Sequence, residues 1–577
     1  MTSIRTASRA TQWRAQFETV QVRLQGLLAH PWLQRAILGA VMVWVFWDGI
    51  WAGVPRSDQI IYLHHISQYD SLWDILSHSP SWNRTLPDAG TDAILYRPVL
   101  YLLLGTLYYL FRYNFVAWQI ASLSLHIVVA LGLHLLLLQG RLKQSLLPLV
   151  ITLLFATAYF ASELVLWHHI VGYLLFCALE VYAIYFFLRF LQSDRIGFLI
   201  ACGALTLIAE FTYEAGVIVN LLLAVALFGR SFYPPAAGTS PARSRRRADR
   251  WSALSFLLEV PLLPIASLAD VHAHGFASAP RLLGIGSWQL ILSAGHAFFQ
   301  QIGFWFSAWL APTVYRVYPA YKAIGVVSST GLTGLTLLNL IALALLVAAS
   351  VRGLRRLRHS EVSKREGEFA LGLCMLFLLG YSMMIAIGRA VDRGFGYVQS
   401  NLYYSYVPYL TVGVAVALAA VVGRAGAASA TTGNAPDSSR SGPAPGQSQN
   451  AAPPRVGAGF IAPLTILAFV NACGVRALTH QFRYVYAAPR QQVIDRVLAW
   501  HRLAGDRTQR YFVVSSDCPG NEHFGTFLLR GDPNWRPGVT LADALWPDWS
   551  ADLNAAKSVI SRESVDEIRC EESSPPK

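Results

Sequence analysis

The chain has 577 residues, of which 54% are hydrophobic and 14% are charged, and its formal net charge is +13. Soluble domains carry about 25% charged residues, so this composition excludes an ordinary soluble globular protein. Apolar runs of about 20 residues recur along the chain, the length a helix needs to cross a bilayer core of about 30 Å. These runs lack the alternation typical of strands, so the sequence predicts a polytopic all-α membrane protein.

The apolar runs predict about eleven spanning helices. We place them at 35–54, 115–139, 144–162, 170–191, 196–212, 214–230, 253–271, 324–351, 368–388, 404–423 and 457–476. Two further stretches do not fit a span: 97–112 is only about 16 residues long, and 288–311 is interrupted by polar residues such as Gln300 and Gln301. Aromatic segments of this kind favour the membrane interface, so both are expected to be interfacial or re-entrant.

Basic residues set the orientation of the bundle. Arg5, Arg9, Arg14 and Arg23 precede the first span, and the positive-inside rule therefore puts the N-terminus in the cytoplasm. Later basic loops alternate with the spans as the rule requires, and eleven crossings leave the C-terminus outside. These anchors account for the positive charge without a nucleic-acid partner. No A-x-A-like cleavage site follows the first span, so that helix is expected to be uncleaved.

Composition divides the chain into five parts. We expect a cytoplasmic N-terminus (1–34), a transmembrane domain (35–423), a disordered cytoplasmic loop (424–456), a last transmembrane helix (457–476) and an extracytoplasmic C-terminal segment (477–577). The loop is rich in Ala, Ser, Gly and Pro and has almost no large apolar groups, so it cannot form a core.

The C-terminal segment is expected to hold a small α/β subdomain. Residues 510–515 form a strand pattern ended by Pro519 and Gly520. An oxidising compartment would allow Cys518 and Cys570 to form a disulfide, although two free thiols remain the alternative. The Ala- and Arg-rich, Lys-poor composition indicates a bacterial chain, and hence a multi-pass protein of the inner membrane.

The loop after the first helix begins the chemistry-bearing part of the chain. Asp58 lies just beyond this helix, where a carboxylate could take the proton from an attacking hydroxyl. Asp48 is the rival base, although it lies within the apolar run. Arg97 stands in Tyr-Arg-Pro at the start of the next apolar stretch, and arginine binds phosphate through two parallel hydrogen bonds. Interfacial snorkelling is the alternative role for Arg97.

Three more candidates are expected at outer helix ends. Glu163 closes a predicted helix on the side of Asp58, so the two carboxylates could share a cavity. His168 could hydrogen-bond a phosphate or a sugar, and Arg389 could neutralise a leaving phosphate. His126 and His134 lie within a helix and are interpreted as packing or hydrogen-bonding residues. The sequence has no Walker loop, dinucleotide fingerprint or zincin motif; it indicates no cofactor and leaves a divalent metal open.

Several short motifs occur in a familiar order. They are Asp58 after the first helix, Tyr96-Arg97-Pro98-Val99, the stretch from Asn114 to His126, the stretch from Phe155 to Glu163, and Ala209-Glu210-Phe-Thr-Tyr-Glu214. With these motifs the chain resembles the polytopic type C (GT-C) glycosyltransferases. The resemblance is to bacterial relatives of protein O-mannosyltransferases and to the transmembrane-and-TPR O-mannosyltransferases. The last four motifs correspond, in order, to the family's patterns Y-R-P-L, N-x-x-x-x-H-x-x-N-x-x-x-H, F-A-x-x-P-x-x-x-E and S-K-E.

Several departures accompany this resemblance. Only Asn114 and His126, the first Asn and the last His, are kept from the N-x-x-x-x-H-x-x-N-x-x-x-H pattern. Asp58 stands alone before Gln59 instead of in an acidic pair, Tyr159 occupies the proline position of the third pattern, and the S-K-E lysine is absent. No TPR repeats follow the membrane domain.

The resemblance implies a GT-C fold that transfers a hexose or pentose on the extracytoplasmic face. The donor would be a polyprenyl-phosphate sugar, and the acceptor a hydroxyl of a glycan, lipid or protein. Asp58 and Glu163 would be catalytic, and Arg97, Arg389 and His168 would bind the donor phosphate. Two other functions remain open: a transporter or flippase of lipid-linked glycans, and a non-catalytic envelope assembly protein.

Overall fold

A computed structural model gives the fold. It describes residues 30–53, 66, 69, 71–78, 96–111, 114–139, 145–232, 242–273, 291–292, 294–299, 301, 361–387, 402–418, 458–488, 511–513 and 558–560. Within these ranges the chain is almost entirely helical, as its composition predicts. The helices in chain order are α1 (Pro31–Ile50), α2 (Leu72–His78), α3 (Pro98–Phe111), α4 (Phe115–Leu138), α5 (Leu147–Ala156), α6 (Tyr159–Leu166), α7 (Val171–Ser193), α8 (Ile196–Thr212), α9 (Gly216–Phe232), α10 (Ala242–Glu259), α11 (Leu262–Ala273), α12 (Glu361–Ile385), α13 (Tyr403–Leu418) and α14 (Ala458–Gln481).

Five segments of the described chain are long and apolar enough to cross a membrane, and α5 and α6, bent by 58° at their junction, could together form a sixth span. The five are Pro31–Ile50, Phe115–Leu138, Val171–Ser193, Arg247–Asp270 and Ile461–Tyr484. The multi-pass prediction is therefore supported, whereas a count of eleven spans is not. The predicted span 324–351 lies outside the described residues. Stretch 97–112 forms the 14-residue helix α3, about 21 Å long and too short to span.

Local sequence explains where several helices begin and end. Pro31 starts α1, where its missing N–H costs nothing. The Asn114 side chain accepts a hydrogen bond from the Ala117 N–H at 3.2 Å and so caps α4. Helix α7 ends at Asp194, which has a left-handed φ of 51°.

Long-range contacts define the two ends of the bundle. At the lower end, Gln34 donates to the Ser145 carbonyl, and its amide oxygen lies 2.8 Å from His134 Nε2. At the upper end, α1 packs on α6 so closely that a methyl on Gly49 would lie 2.6 Å from Leu166 Cδ2. Helix α1 therefore runs from the lower end to the upper end, α4 runs from Gln119, which contacts the Leu166 carbonyl, down to His134, and α7 returns from the upper end to the lower end.

The bend between α5 and α6 is held by a buried histidine. His126 Nε2 lies 2.9 Å from the Ala156 carbonyl, which accepts, and Nδ1 lies 2.8 Å from the Tyr406 hydroxyl. A carbonyl can only accept, so Nε2 carries the proton and Tyr406 donates to Nδ1. The bend leaves the Ala156 carbonyl without a hydrogen-bond partner in the helix, and His126 donates to it instead. The hydrogen-bonding roles predicted for His126 and His134 are confirmed.

Helix α14 corrects the predicted boundary of the last span. The prediction ended this helix at residue 476, but it continues to Gln481 and is followed by a π-helical turn, Phe482–Ala487. Polar side chains after Arg476 lower the hydropathy there, so the apolar run ends before the helix does. The first part of the predicted extracytoplasmic segment is therefore a continuation of α14.

The described part of the C-terminal segment beyond α14 is one pair of short strands. Tyr511–Val513 pairs in parallel with Ser558–Ile560, and the first of these is the predicted strand. Three-residue strands do not establish an α/β subdomain, which remains a prediction. Cys518, Cys570 and the predicted loop 424–456 lie outside the described residues.

Candidate functional site

Three of the five predicted site residues lie in the described chain, all at the upper end. Arg97 precedes α3, Glu163 is in α6, and His168 is in the short 3-10 turn before α7. Asp58 and Arg389 lie outside the described residues.

Arg97 is bound by a carboxylate that was not predicted as its partner. Its Nε and Nη2 atoms each donate to Glu214, both at 2.8 Å, in a parallel two-bond arrangement. The side chains are 13% and 25% exposed, so the pair borders the surface. The guanidinium also lies over the ring of Tyr213, 4.4 Å from its centroid. Nη1 is left for a further acceptor, as far as the described residues show.

Burial and the neighbouring charge shift the pKa of Arg97 in opposite directions. Burial lowers its pKa, but Glu214, helped by Tyr213, more than offsets this and holds the pKa well above the ordinary value. Arg97 is therefore a permanent cation, partly neutralised by Glu214. This differs from the freely available phosphate ligand that the sequence predicted.

A chain of tyrosines connects Arg97 to Glu163. The hydroxyl of Tyr213 is hydrogen-bonded to that of Tyr173, and the Tyr173 ring meets the Tyr403 ring edge to face at 5.2 Å. The Tyr403 backbone N–H then donates to Glu163 Oε2 at 3.0 Å. The structure thus joins two predicted site residues through three tyrosines, the last of which reaches Glu163 through its backbone.

Glu163 occupies the start of another helix. Tyr403 lies in the 3-10 turn Leu402–Ser405 that opens α13, and its N–H is one of those that the start of a helix leaves unpaired. The carboxylate satisfies this donor and lies at the positive end of the helix dipole. This contact favours a positioning role for Glu163, whereas the sequence predicted a catalytic carboxylate.

His168 is fully buried beside Trp118, with ring centroids 6.0 Å apart. Burial lowers its pKa to about 3. The imidazole is therefore neutral at physiological pH. In this conformation it offers a phosphate neither positive charge nor exposed surface.

A second charged cluster lies at the upper end around Asp48. Asp48 Oδ2 is 3.1 Å from Arg476 Nη2 and 3.1 Å from His480 Nδ1, and Oδ1 is 3.3 Å from Arg483 Nη1. The sequence predicts Asp48 only as a rival base, and its partners were not predicted. Their spacing was an available signal, because residues four and seven apart share one helix face.

Within the described chain, no group of three His, Cys, Asp or Glu residues is arranged to hold a metal ion. No protein-family model matches the chain, and no characterised protein sequence or solved structure is significantly similar to it.

Proposed function

We propose that the chain is a GT-C-type membrane glycosyltransferase that moves a sugar from a polyprenyl-phosphate donor to a hydroxyl acceptor on the extracytoplasmic face of a bacterial inner membrane. The contact path from Arg97 through the tyrosines to Glu163 is the observation that carries this proposal. It puts a cation, a carboxylate and aromatic rings at one end of a helical membrane bundle. The rings are buried and hold the path together, while a sugar would offer its hydroxyls to the polar groups.

Local geometry also supports the resemblance on which the proposal draws. Tyr159 is the first residue of α6, the position where proline is favoured. Ala158 before it is extended, with φ −67° and ψ 142°, as residues preceding a proline usually are. The family's proline therefore corresponds to a position whose backbone would accept one.

In the proposed reaction, the acceptor hydroxyl oxygen forms a bond to the anomeric carbon while the bond from that carbon to the phosphate oxygen breaks. Asp58 takes the hydroxyl proton, and the polyprenyl phosphate leaves with the bonding electrons. Arg389 and the remaining donors of Arg97 would neutralise the phosphate. Glu163 would hold Tyr403 in place. The parts assigned to Asp58 and Arg389 rest on sequence alone.

The test is mass analysis of envelope glycans and glycoproteins from a strain lacking the chain. We expect at least one hexose- or pentose-bearing species to disappear and to return with the wild-type chain but not with Asp58→Asn. Removal of a general base lowers rates by about 10²–10⁴-fold. Asp194→Asn makes the same chemical change at the lower end and should restore the glycan. Unchanged glycans in the deletion strain would overturn the proposal.

One buried acid favours a second candidate, a proton-coupled transporter of lipid-linked glycans. Glu180 lies within α7, and neither carboxylate oxygen has a hydrogen-bond partner in the described chain. It interacts electrostatically with Glu210 and Glu259. Intramembrane carboxylates mark proton paths in transporters.

Proteoliposomes enclosing a pH-sensitive dye would test this second function. Proton movement driven by a lipid-linked glycan, lost in Glu180→Gln and kept in Asp194→Asn, would support it. Glycosyl transfer by Glu180→Gln at the wild-type rate, with no proton movement in either chain, would exclude it.

A further inference from the structure

The Asp48 cluster has more positive charge than its carboxylate can neutralise. Asp48 is buried, with a side chain 6% exposed, and it faces two arginines and a histidine. The two arginines alone carry two positive charges against the single negative charge of Asp48. Within the described residues, Asp48 is the only acid in contact with Arg476 or Arg483. A structural clamp between α1 and α14 would need only one of these arginines.

The basic side chains remain partly open to their surroundings. Arg476, His480 and Arg483 are 30%, 42% and 31% exposed. Arg476 is oriented by two bonds, since Nη2 meets Asp48 and Nη1 donates to the Trp44 carbonyl at 2.9 Å. A guanidinium has five N–H donors, so each arginine keeps donors beyond those that Asp48 uses. The carboxylate thus orients two cations whose spare donors can meet an anion.

Exposed aromatic side chains lie beside this cluster, and the Tyr484 ring packs against His480 and Arg483. Trp44 and Trp47 of α1, and Trp51 directly after its end, follow helical spacing, and each is about half exposed, as is Tyr484. Trp47 and Trp51 meet edge to face at 5.8 Å. Half-exposed tryptophans at the end of a spanning helix are typical of the membrane interface, where lipid headgroups lie. A lipid chain could lie along this stripe with its headgroup at the arginines.

We propose that Arg476, His480 and Arg483, oriented by Asp48, bind the phosphate group of a membrane lipid. Arginine forks match phosphate oxygens, and the surrounding aromatic surface matches the lipid tail. A polyprenyl phosphate and an anionic phospholipid share this chemistry. This lipid binding goes beyond the proposed sugar transfer and does not require it. It uses residues at the ends of α1 and α14 and does not involve Arg97 or Glu163.

The experiment uses the full chain in phosphatidylcholine nanodiscs. Undecaprenyl phosphate, phosphatidylglycerol or inorganic phosphate is added, and bound lipid is followed by native mass spectrometry and thermal stabilisation. The test variant is Asp48→Asn combined with Arg476→Gln and Arg483→Gln, which removes the carboxylate together with both arginine charges and should still fold. The control is Arg195→Gln, an exposed arginine at the lower end.

We expect the wild type and Arg195→Gln to bind a phosphate lipid, and the triple variant to bind it at least about tenfold more weakly, because charge-assisted hydrogen bonds are lost. Preference for undecaprenyl phosphate would identify a prenyl lipid, and equal binding of both lipids would identify a general headgroup site. Either result supports the proposal. Wild-type lipid binding by the folded triple variant would overturn it, as would binding of inorganic phosphate without any lipid preference. No sugar donor is present, so the result is independent of transfer activity.

Discussion

Arg97 and Glu214 meet through two hydrogen bonds of 2.8 Å although 117 residues separate them in the chain. This pair ties the start of α3 to the turn between α8 and α9. The pair is only partly exposed, so water cannot fully solvate the charge that remains when its partner is removed. The contact therefore clamps the start of α3 to this turn.

The pair should show energetic coupling. We expect Glu214→Gln and Arg97→Gln each to lower the free energy of unfolding by about 1.5–3 kcal/mol, since each leaves a charge without its partner. The double variant should be less destabilised than the sum of the two, by at least about 0.5 kcal/mol. Thermal unfolding of the four proteins in one detergent measures this. Strict additivity would show that the contact contributes nothing.

Glu163 should tolerate removal of its charge but not of its acceptor. The Gln amide oxygen can still accept from the Tyr403 N–H, so Glu163→Gln should stay within about 1 kcal/mol of the wild type. Loss of a cap typically costs about 0.5–2 kcal/mol, and Glu163→Ala should be destabilised to that extent. Parallel unfolding and sugar-transfer assays decide its role. A stable but inactive Glu163→Gln would return this residue to the catalytic role that the sequence predicted.

The sequence predicts the apolar elements of this fold well because burial in lipid leaves a composition signal. It places α8 at 196–212, as observed, and α4 within one residue of its end. Partners distant in the chain leave no such signal. Hydropathy cannot pair Arg97 with Glu214, nor can it show that Asp48 neutralises charge on α14. For this reason the predicted last helix ends too early, and the basic face of α14 is missed.

His168 should make the protein sensitive to acid. Its pKa is lowered from 6.5 to about 3 by burial, so below about pH 6.5 the unfolded chain takes up a proton that the folded chain resists. Stability from this group is complete above pH 6.5 and falls towards pH 3, by up to about 1.4 kcal/mol per pH unit. His168→Gln should flatten the decline in unfolding free energy between pH 7 and pH 4. His30→Gln, an exposed change, should leave the decline intact. An unaltered slope in His168→Gln would show that this histidine is not the acid-sensitive group.

The orientation of the bundle can be tested at residues that the structure places at opposite ends. Trp51 is at the upper end and Ile196 at the lower end, and both are exposed. In a cysteine-free background, we introduce Trp51→Cys or Ile196→Cys and add a membrane-impermeant maleimide to intact cells. The positive-inside rule puts the upper end outside, so the residue 51 variant should be labelled directly. The residue 196 variant should be labelled only after the membrane is permeabilised. Charges on exposed loops are strongly hydrated, so reversal of the whole bundle across the membrane is costly. Each cysteine variant should therefore give a single labelling pattern. The reverse pattern would put Arg97, Glu163 and the Asp48 cluster in the cytoplasm and remove the basis for extracytoplasmic transfer.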